Sequence, residues 1–340
     1  MKTALIFGIN GMDGKTLALL LLGKGYRVVG TYRRTTININ ELHNQVFDCS
    51  ENIFFEYCDI TDEKSVEKLF LDENYSFEEI YLLAAQSHVG DSFNSPVSTF
   101  ITNSLPIHYV CNCVKKYQPN SKIYLALTSE LFGGQHENPC NEKDIFQCRS
   151  PYSIGKEAAW RWAEYYRQQG VFVSCGILFN HSNVFRGDSF FISKVTKGAA
   201  EIALGSRKNI VLGPYLDFTR DEHWSDFGCD AMWNMLQQPN PDDFVIANGK
   251  DHRGTEYLEI AFDYFNLGDW KKYVVQDQKF SRPNEVQRLV GDSSKAQKIL
   301  NWVPNRIPFE DHISLMCQYH YLKLKSENVK IPNVFDLYPV

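Results

Sequence analysis

Short apolar runs alternate with stretches of helical period through the first half of the chain. Residues 3–8 (TALIFG), 26–32 (YRVVGTY), 52–60 (NIFFEYCDI), 79–85 (EIYLLAA), 122–129 (KIYLALTS) and 171–179 (VFVSCGILF) read as buried strands. Between them, residues 14–24, 61–70, 96–116 and 150–170 carry helical periodicity. Thr61 is the expected cap of the second helix. Ser150 is the expected cap of the fourth, with Pro151 at its first position, where a missing N–H costs nothing. Strands alternating with helices imply a parallel sheet covered on both faces. The expected fold is α/β: a Rossmann-type doubly wound sheet over residues 1–180. After about residue 180 the alternation fades and turn-rich patches appear at 181–189, 213–225 and 238–254. Residues 181–340 are therefore expected to form mainly a smaller mixed α/β substrate lobe over the sheet's C-terminal edge, with some segments returning to the first domain.

Composition narrows the class. The 340 residues are 44% hydrophobic and 14% aromatic, which suits a well-packed globular protein of two domains. The net charge of −6 is spread evenly, so no basic block points to nucleic acid. The longest early apolar stretch, Leu17 to Leu22, is too short to span a bilayer, and no cleavable leader is evident. A cytosolic protein is expected. Nine cysteines are scattered without a C-x-x-C pair, and the histidines show no ligand spacing. Reduced, mostly buried thiols and no metal are the expectation.

Three motifs carry chemistry. The first strand leads into Gly8-Ile9-Asn10-Gly11-Met12-Asp13-Gly14. Gly8 and Gly11 would let backbone approach a pyrophosphate, and Gly14 would let the following helix pack close to the strand. Asn10, Met12 and Asp13 share that turn and are assigned to the cofactor with it. The second strand ends in Thr31-Tyr32-Arg33-Arg34. Two guanidiniums suit a 2′-phosphate better than a bare ribose, so the expected cofactor is NADP. Asp59 and Ile60, after the third strand, are placed to meet the adenine. Leu83, Ala84, Ala85, Gln86 and Ser87, after the fourth, are mostly small enough to let a cofactor lie across them. Tyr152 and Lys156 form a Y-x-x-x-K whose members share one helix face. An ammonium beside the phenol is expected to lower its pKa, making Tyr152 a base. The strand at 122–129 delivers Thr128, Ser129 and Glu130 to its C-terminal end, where a ligand crevice should open.

The layout resembles the extended short-chain dehydrogenase/reductases, in their sugar-nucleotide-modifying branch. GINGMDG, LLAAQSHVGDSF, TSELFG, RSPYSIGKEAAW, GILFNHSNVFRG, DFVIANG and RPNEVQRLVGDSSKAQKILNW look like successive blocks of the GDP-mannose 4,6-dehydratase family, from residue 4 to about 305. The resemblance implies an NADP-dependent lyase. Tyr152 would take the sugar 4-hydroxyl proton, with Lys156 beside it and Thr128 bonded to the same oxygen. Glu130 would remove the C5 proton and protonate the departing C6 hydroxyl. His181 and Arg186 match residues near the nicotinamide and the phosphates. Lys194, Arg220, Arg282 and Glu285 match positions that hold the diphosphate and the nucleoside ribose. Ser87, Ser129, Asn180 and Ser189 join the substrate-binding set. A homodimer or homotetramer is implied, with RRTTININE (33–41) at a tetramer contact.

The chain also departs from that family. Arg220-Asp221 is followed by EHWSDFGC where the family has a segment like WGHAKDYV. The GPYLDFT before it is one residue longer, and Ser189 stands where an asparagine is expected. These changes leave GDP-mannose, a GDP-heptose and GDP-N-acetylglucosamine open as substrates. A 4-epimerase or reductase of the same fold would need Tyr152 and Lys156 but not Glu130. A non-catalytic NADP-binding scaffold would need neither.

Overall fold

The computed structural model describes residues 1–33, 39–48, 50–281, 283–327 and 329–338. Arg34 and Arg282 lie outside the described residues, as does most of the expected tetramer segment. Seven parallel strands form the main sheet: β1 (Thr3–Phe7), β2 (Arg27–Tyr32), β3 (Ile53–Tyr57), β4 (Glu79–Leu82), β5 (Lys122–Thr128), β6 (Val173–Leu178) and, from the second half, a strand at Asp243–Ile246. Their order across the sheet is Asp243–Ile246, β6, β5, β4, β1, β2, β3. The chain starts in the middle and winds outward in both directions, which opens a crevice at the C-terminal ends where the winding reverses.

Alternation along each strand feeds two cores. In β1, Leu5 and Phe7 enter one layer while Ala4 and Ile6 enter the other. The first layer is closed by α3 (Glu63–Leu71), α6 (Pro106–Tyr117) and α7 (Pro151–Arg167). The second is closed by α1 (Met12–Gly23) and α2 (Ile39–Val46), joined by α9 (Ser225–Gln237) and α11 (Ser294–Leu300). Chain from the second half thus returns to the sheet in three places: α9, Asp243–Ile246 and α11.

A third core lies beyond residue 183. It is built on α8 (Phe191–Ala203), α10 (Gly254–Tyr264), α12 (Phe309–Leu324) and α13 (Val334–Leu337). Short strands tie it together. β7 (Asn180–Ser182) pairs with β10 (Glu222–Trp224), β8 (Ile210–Leu212) with β13 (Val274–Gln276), and β9 (Thr219–Arg220) with β12 (His252–Arg253) and β14 (Arg288–Leu289). The strand at Asp243–Ile246 is β11 in this order. Among the described residues no helix is long and apolar enough to cross a membrane.

Local chemistry moves several expected boundaries. The helix expected over 96–116 is two helices, α5 (Pro96–Ser104) and α6, because Pro106 cannot continue the hydrogen-bond ladder. A short α4 (Val89–Asn94) precedes them. Thr61 does not cap α3. Its N–H and hydroxyl both donate to Asp59 Oδ1 (2.9 and 2.7 Å), which holds it outside the helix, and Asp62 accepts from Lys64 N instead. Ser150 does cap α7, in a reciprocal box with Ser153.

Candidate active site

The turn after β1 is shaped for close backbone approach. Gly8 has φ +95°, and a Cβ there would lie 3.0 Å from the Ala84 backbone. A Cβ on Gly14 would lie 2.2 Å from the Gly8 carbonyl oxygen, so α1 can start this near the strand only with glycine. Gly11 caps α1 without a side chain, which leaves the first N–H groups of the helix, including that of Met12, facing the turn beside Asn10. Backbone donors, a helix N-terminus and no Cβ in the way suit a dinucleotide pyrophosphate. At the far end, Arg33 is exposed after β2. Asp59 is partly buried, yet its bonds from Thr61 and the charge of Arg33 hold its carboxyl below the usual range. Ile60 is different: its side chain packs into the core with Val66. Gln86 is turned to local work, its amide nitrogen on the His88 carbonyl (2.9 Å) and its N–H on Asn103 (2.9 Å).

Beside this turn a cleft of about 890 Å³ opens along the sheet's C-terminal edge. Leu83, Ala85, Ser87, Thr128, Ser129, Glu130, Tyr152 and Lys156 line it from the sheet side. Asn180, His181, Arg186, Ser189, Lys194, Arg220 and Glu285 line it from the second half. Of the turn residues only Asp13 reaches it. Arg220 is buried and meets Glu285 at 3.4 Å, and the Arg186 guanidinium lies 3.6 Å over the Phe190 ring.

Tyr152 and Lys156 lie one turn apart on α7 and both are buried. Thr128 ends β5, and its hydroxyl accepts from the Glu130 N–H (3.2 Å) at the start of a 3₁₀ turn. The phenol departs from expectation. Burial pushes the Tyr152 pKa up to about 12; a hydrogen bond with Thr128 pulls against this, and the Glu130 charge adds to it. The Lys156 ammonium donates to the Ala126 carbonyl (2.8 Å), and burial brings its pKa down to about 8. Desolvation therefore dominates at the phenol, and its pKa lies above the ordinary tyrosine value.

The profile of the family described as GDP-mannose 4,6 dehydratase matches residues 5–316. The chain is 37% identical to GDP-mannose 4,6 dehydratase 2 of Arabidopsis thaliana, over 97% of this chain and 90% of that protein. It is 36% identical to the GDP-mannose 4,6 dehydratase of Drosophila melanogaster, over 93% and 85%. The chain belongs to the GDP-mannose 4,6-dehydratase family. In fold it is similar to a UDP-glucose 4-epimerase of Thermotoga maritima (TM-score 0.81, 20% identity, 96% of this chain and 100% of that one). A dTDP-glucose 4,6-dehydratase of Streptomyces venezuelae is similar too (TM-score 0.82, 19%, 96% and 98%).

Two features of this family member were not evident in the sequence. Glu222 lines the cleft, accepts from Ser182 and from Tyr257 (3.1 Å), and has its pKa raised by burial. The one sequence signal was an acid directly after Arg220-Asp221, in the segment where the chain departs from its family. The second is a partly buried ion pair at the wall of the cleft. His181 Nδ1 faces the Phe179 carbonyl at 2.8 Å and Nε2 faces Asp13 Oδ2 at 3.0 Å. Both partners only accept, so both ring nitrogens carry protons and the ring is an imidazolium. Burial opposes the Asp13 charge, but His181 and the Ser225 hydroxyl (2.7 Å) hold its carboxyl at about 2. Burial likewise opposes the His181 charge, and Asp13 raises its pKa regardless.

The two shifts set a pH window. Asp13 stabilises the fold above its ordinary pKa of 3.8 and loses this as pH falls toward 2. His181 contributes fully below 6.5 and loses this as pH rises through its raised value. Asp13→Asn should cost roughly 1–3 kcal/mol, between the values for an exposed and a fully buried pair. Urea unfolding across pH should show that loss largest between pH 3.8 and 6.5 and smaller on either side. A loss independent of pH would mean that the pair is not ionised.

Proposed function

We propose that this chain is a GDP-mannose 4,6-dehydratase that works with NADP and leaves no net oxidation. The observation that carries the reading is one cleft lined by Glu130 together with Thr128, Tyr152 and Lys156. An epimerase or reductase needs the last two but has no step for the carboxylate. The substrate follows from the family, whose members named above all carry GDP-mannose in their names.

A bound nicotinamide would supply the hydride acceptor for C4 and the hydride donor for C6, with C5 taking up a proton from an exchangeable group as C6 is reduced. Tyr152 takes the 4-hydroxyl proton, and Thr128, bonded to the phenol, orients it. Tyr152 must be phenolate before it can take that proton, and the positive charge of Lys156 favours that form over the neutral phenol. The resulting 4-ketone acidifies C5–H. Glu130 removes that proton and delivers one to the C6 hydroxyl, which leaves as water. Arg186, Lys194 and Arg220 supply positive charge for the diphosphate, and Arg220 is held in place by Glu285. General acid–base groups supply about 10²–10⁴-fold in rate. Glu130→Gln should lose dehydration by that factor and show reduced nicotinamide on mixing with substrate, because oxidation precedes the step it lacks. Dehydration at near wild-type rate would remove Glu130 from the mechanism.

NADP selectivity rests on Arg33 and Arg34. Replacing both with Ala should weaken NADP⁺ by roughly 2–4 kcal/mol, the scale of one or two hydrogen bonds to a charged group, and barely affect NAD⁺. Equal losses in a binding titration would contradict the assignment. A homo-oligomer fits the exposed apolar side chains Val97, Phe100 and Ile101 on α5 and Ile154 and Tyr165 on α7, two helices that pack side by side. Val97→Glu should then sediment as a smaller species than wild type; an unchanged profile would place the contact elsewhere.

A further inference from the structure

The segment between the two catalytic stretches holds a second cluster of donor atoms. From Gly133 the chain runs without helix or extended strand until Ser150 caps α7. Within it His136, Cys140 and Asp144 recur every fourth residue. One donor atom from each lies within 4.8 Å of the other two. None of the three lines the cleft.

Each donor is held and chemically available. The Nε2 of His136 is buried and has no hydrogen-bond partner, while its ring stands edge-on to Phe132 (6.0 Å, 89°). A buried ring nitrogen without a partner is a standing cost that a ligand would remove. Cys140 is buried and pinned on both sides: its N–H donates to the Val290 carbonyl and its carbonyl accepts from Asp292 N–H, both at 2.8 Å. Burial, with Asp144 adding to it, pushes its thiol up to about 12. Asp144 Oδ2 accepts from Asn141 N–H (2.8 Å), which tethers the carboxylate to the same loop.

We propose that His136, Cys140 and Asp144 form a divalent-metal site suited to Zn²⁺, with water as the fourth ligand. One imidazole, one thiolate and one carboxylate are a donor set that zinc accepts and that magnesium and calcium do not. Donors around a tetrahedral zinc stand roughly 3.5 Å apart. The cluster therefore needs to close by about an ångström, within reach of side-chain rotation in His136 and Asp144. The hydrated ion gives up water to the three donors, and the Cys140 thiol releases one proton as its sulfur binds. The bound metal clips the loop that joins Glu130 to Tyr152. The sequence concealed the site because the donors are three different residue types, with no Cys-x-x-C and no His pair.

Cobalt(II) reports each donor. The full chain, stripped with a chelator and kept reduced, should bind one equivalent of Co²⁺. A thiolate-to-metal band in the near ultraviolet and intense tetrahedral bands in the visible should appear, and Zn²⁺ should abolish both. Calorimetry with Zn²⁺ in buffers of different ionisation enthalpy should show about one proton released. Cys140→Ala should lose the near-ultraviolet band while keeping the metal-free activity. His136→Gln, which alters a half-buried side chain, should weaken binding by about 10-fold or more, as should Asp144→Asn. No stoichiometric Co²⁺ binding by the wild type would overturn the proposal. So would a thiolate band that survives in Cys140→Ala, or His136→Gln binding as tightly as wild type.

Discussion

The partly buried contact between Asp13 and His181 ties the halves of this protein together. Asp13 sits in the first turn of α1, against the glycine turn that shapes the dinucleotide cradle. His181 sits on β7, at the start of the chain's second half. Ser225, at the head of α9, closes the junction from a third direction. Two charges largely screened from water gain by satisfying each other. His223, stacked on His181 at 5.2 Å, gives no relief: both of its ring nitrogens lack partners, and burial holds its pKa far below the ordinary value. The pair therefore fixes one geometry, in which Asp13, His181 and Arg186 share a cleft with the ends of β4 and β5.

Within that cleft the resting state is more neutral than the residue types suggest. The phenol of Tyr152 keeps its proton, and the ammonium of Lys156 is bound to a carbonyl of β5. The fold itself does not choose the reaction: an epimerase and a dehydratase are each similar to this chain, at 20% and 19% identity. In the proposed mechanism, what separates the chemistries is the carboxylate that follows Thr128 and Ser129.

Much of this was legible in the chain, and the limits have physical causes. Buried parallel strands are near-continuous apolar runs, so each of the six expected in the first half is present. The glycine turn and the Tyr152–Lys156 spacing are local, so they could be read from a few residues. Pro106 marked a break whose energetic weight the surrounding periodicity hid, and the competition of Asp59 for Thr61 moved a helix cap by one residue. Burial is a tertiary quantity that spacing does not reveal, and it raises the Tyr152 pKa where the Tyr152–Lys156 spacing predicts a lowering. Asp13 and His181 are 168 residues apart, and no local pattern announces their contact. Glu222 was hidden in the same way, its partners Ser182 and Tyr257 lying 40 and 35 residues away.

The central claim, an internal redox dehydration, is tested most directly by following one hydrogen. GDP-mannose carrying deuterium at C4 is incubated with the protein and a catalytic amount of NADP⁺, and the product is examined by mass spectrometry and NMR. Loss of one water, deuterium at C6 and no accumulation of reduced cofactor are expected. A product that keeps its C6 hydroxyl, or deuterium that ends in the cofactor pool, would contradict that claim.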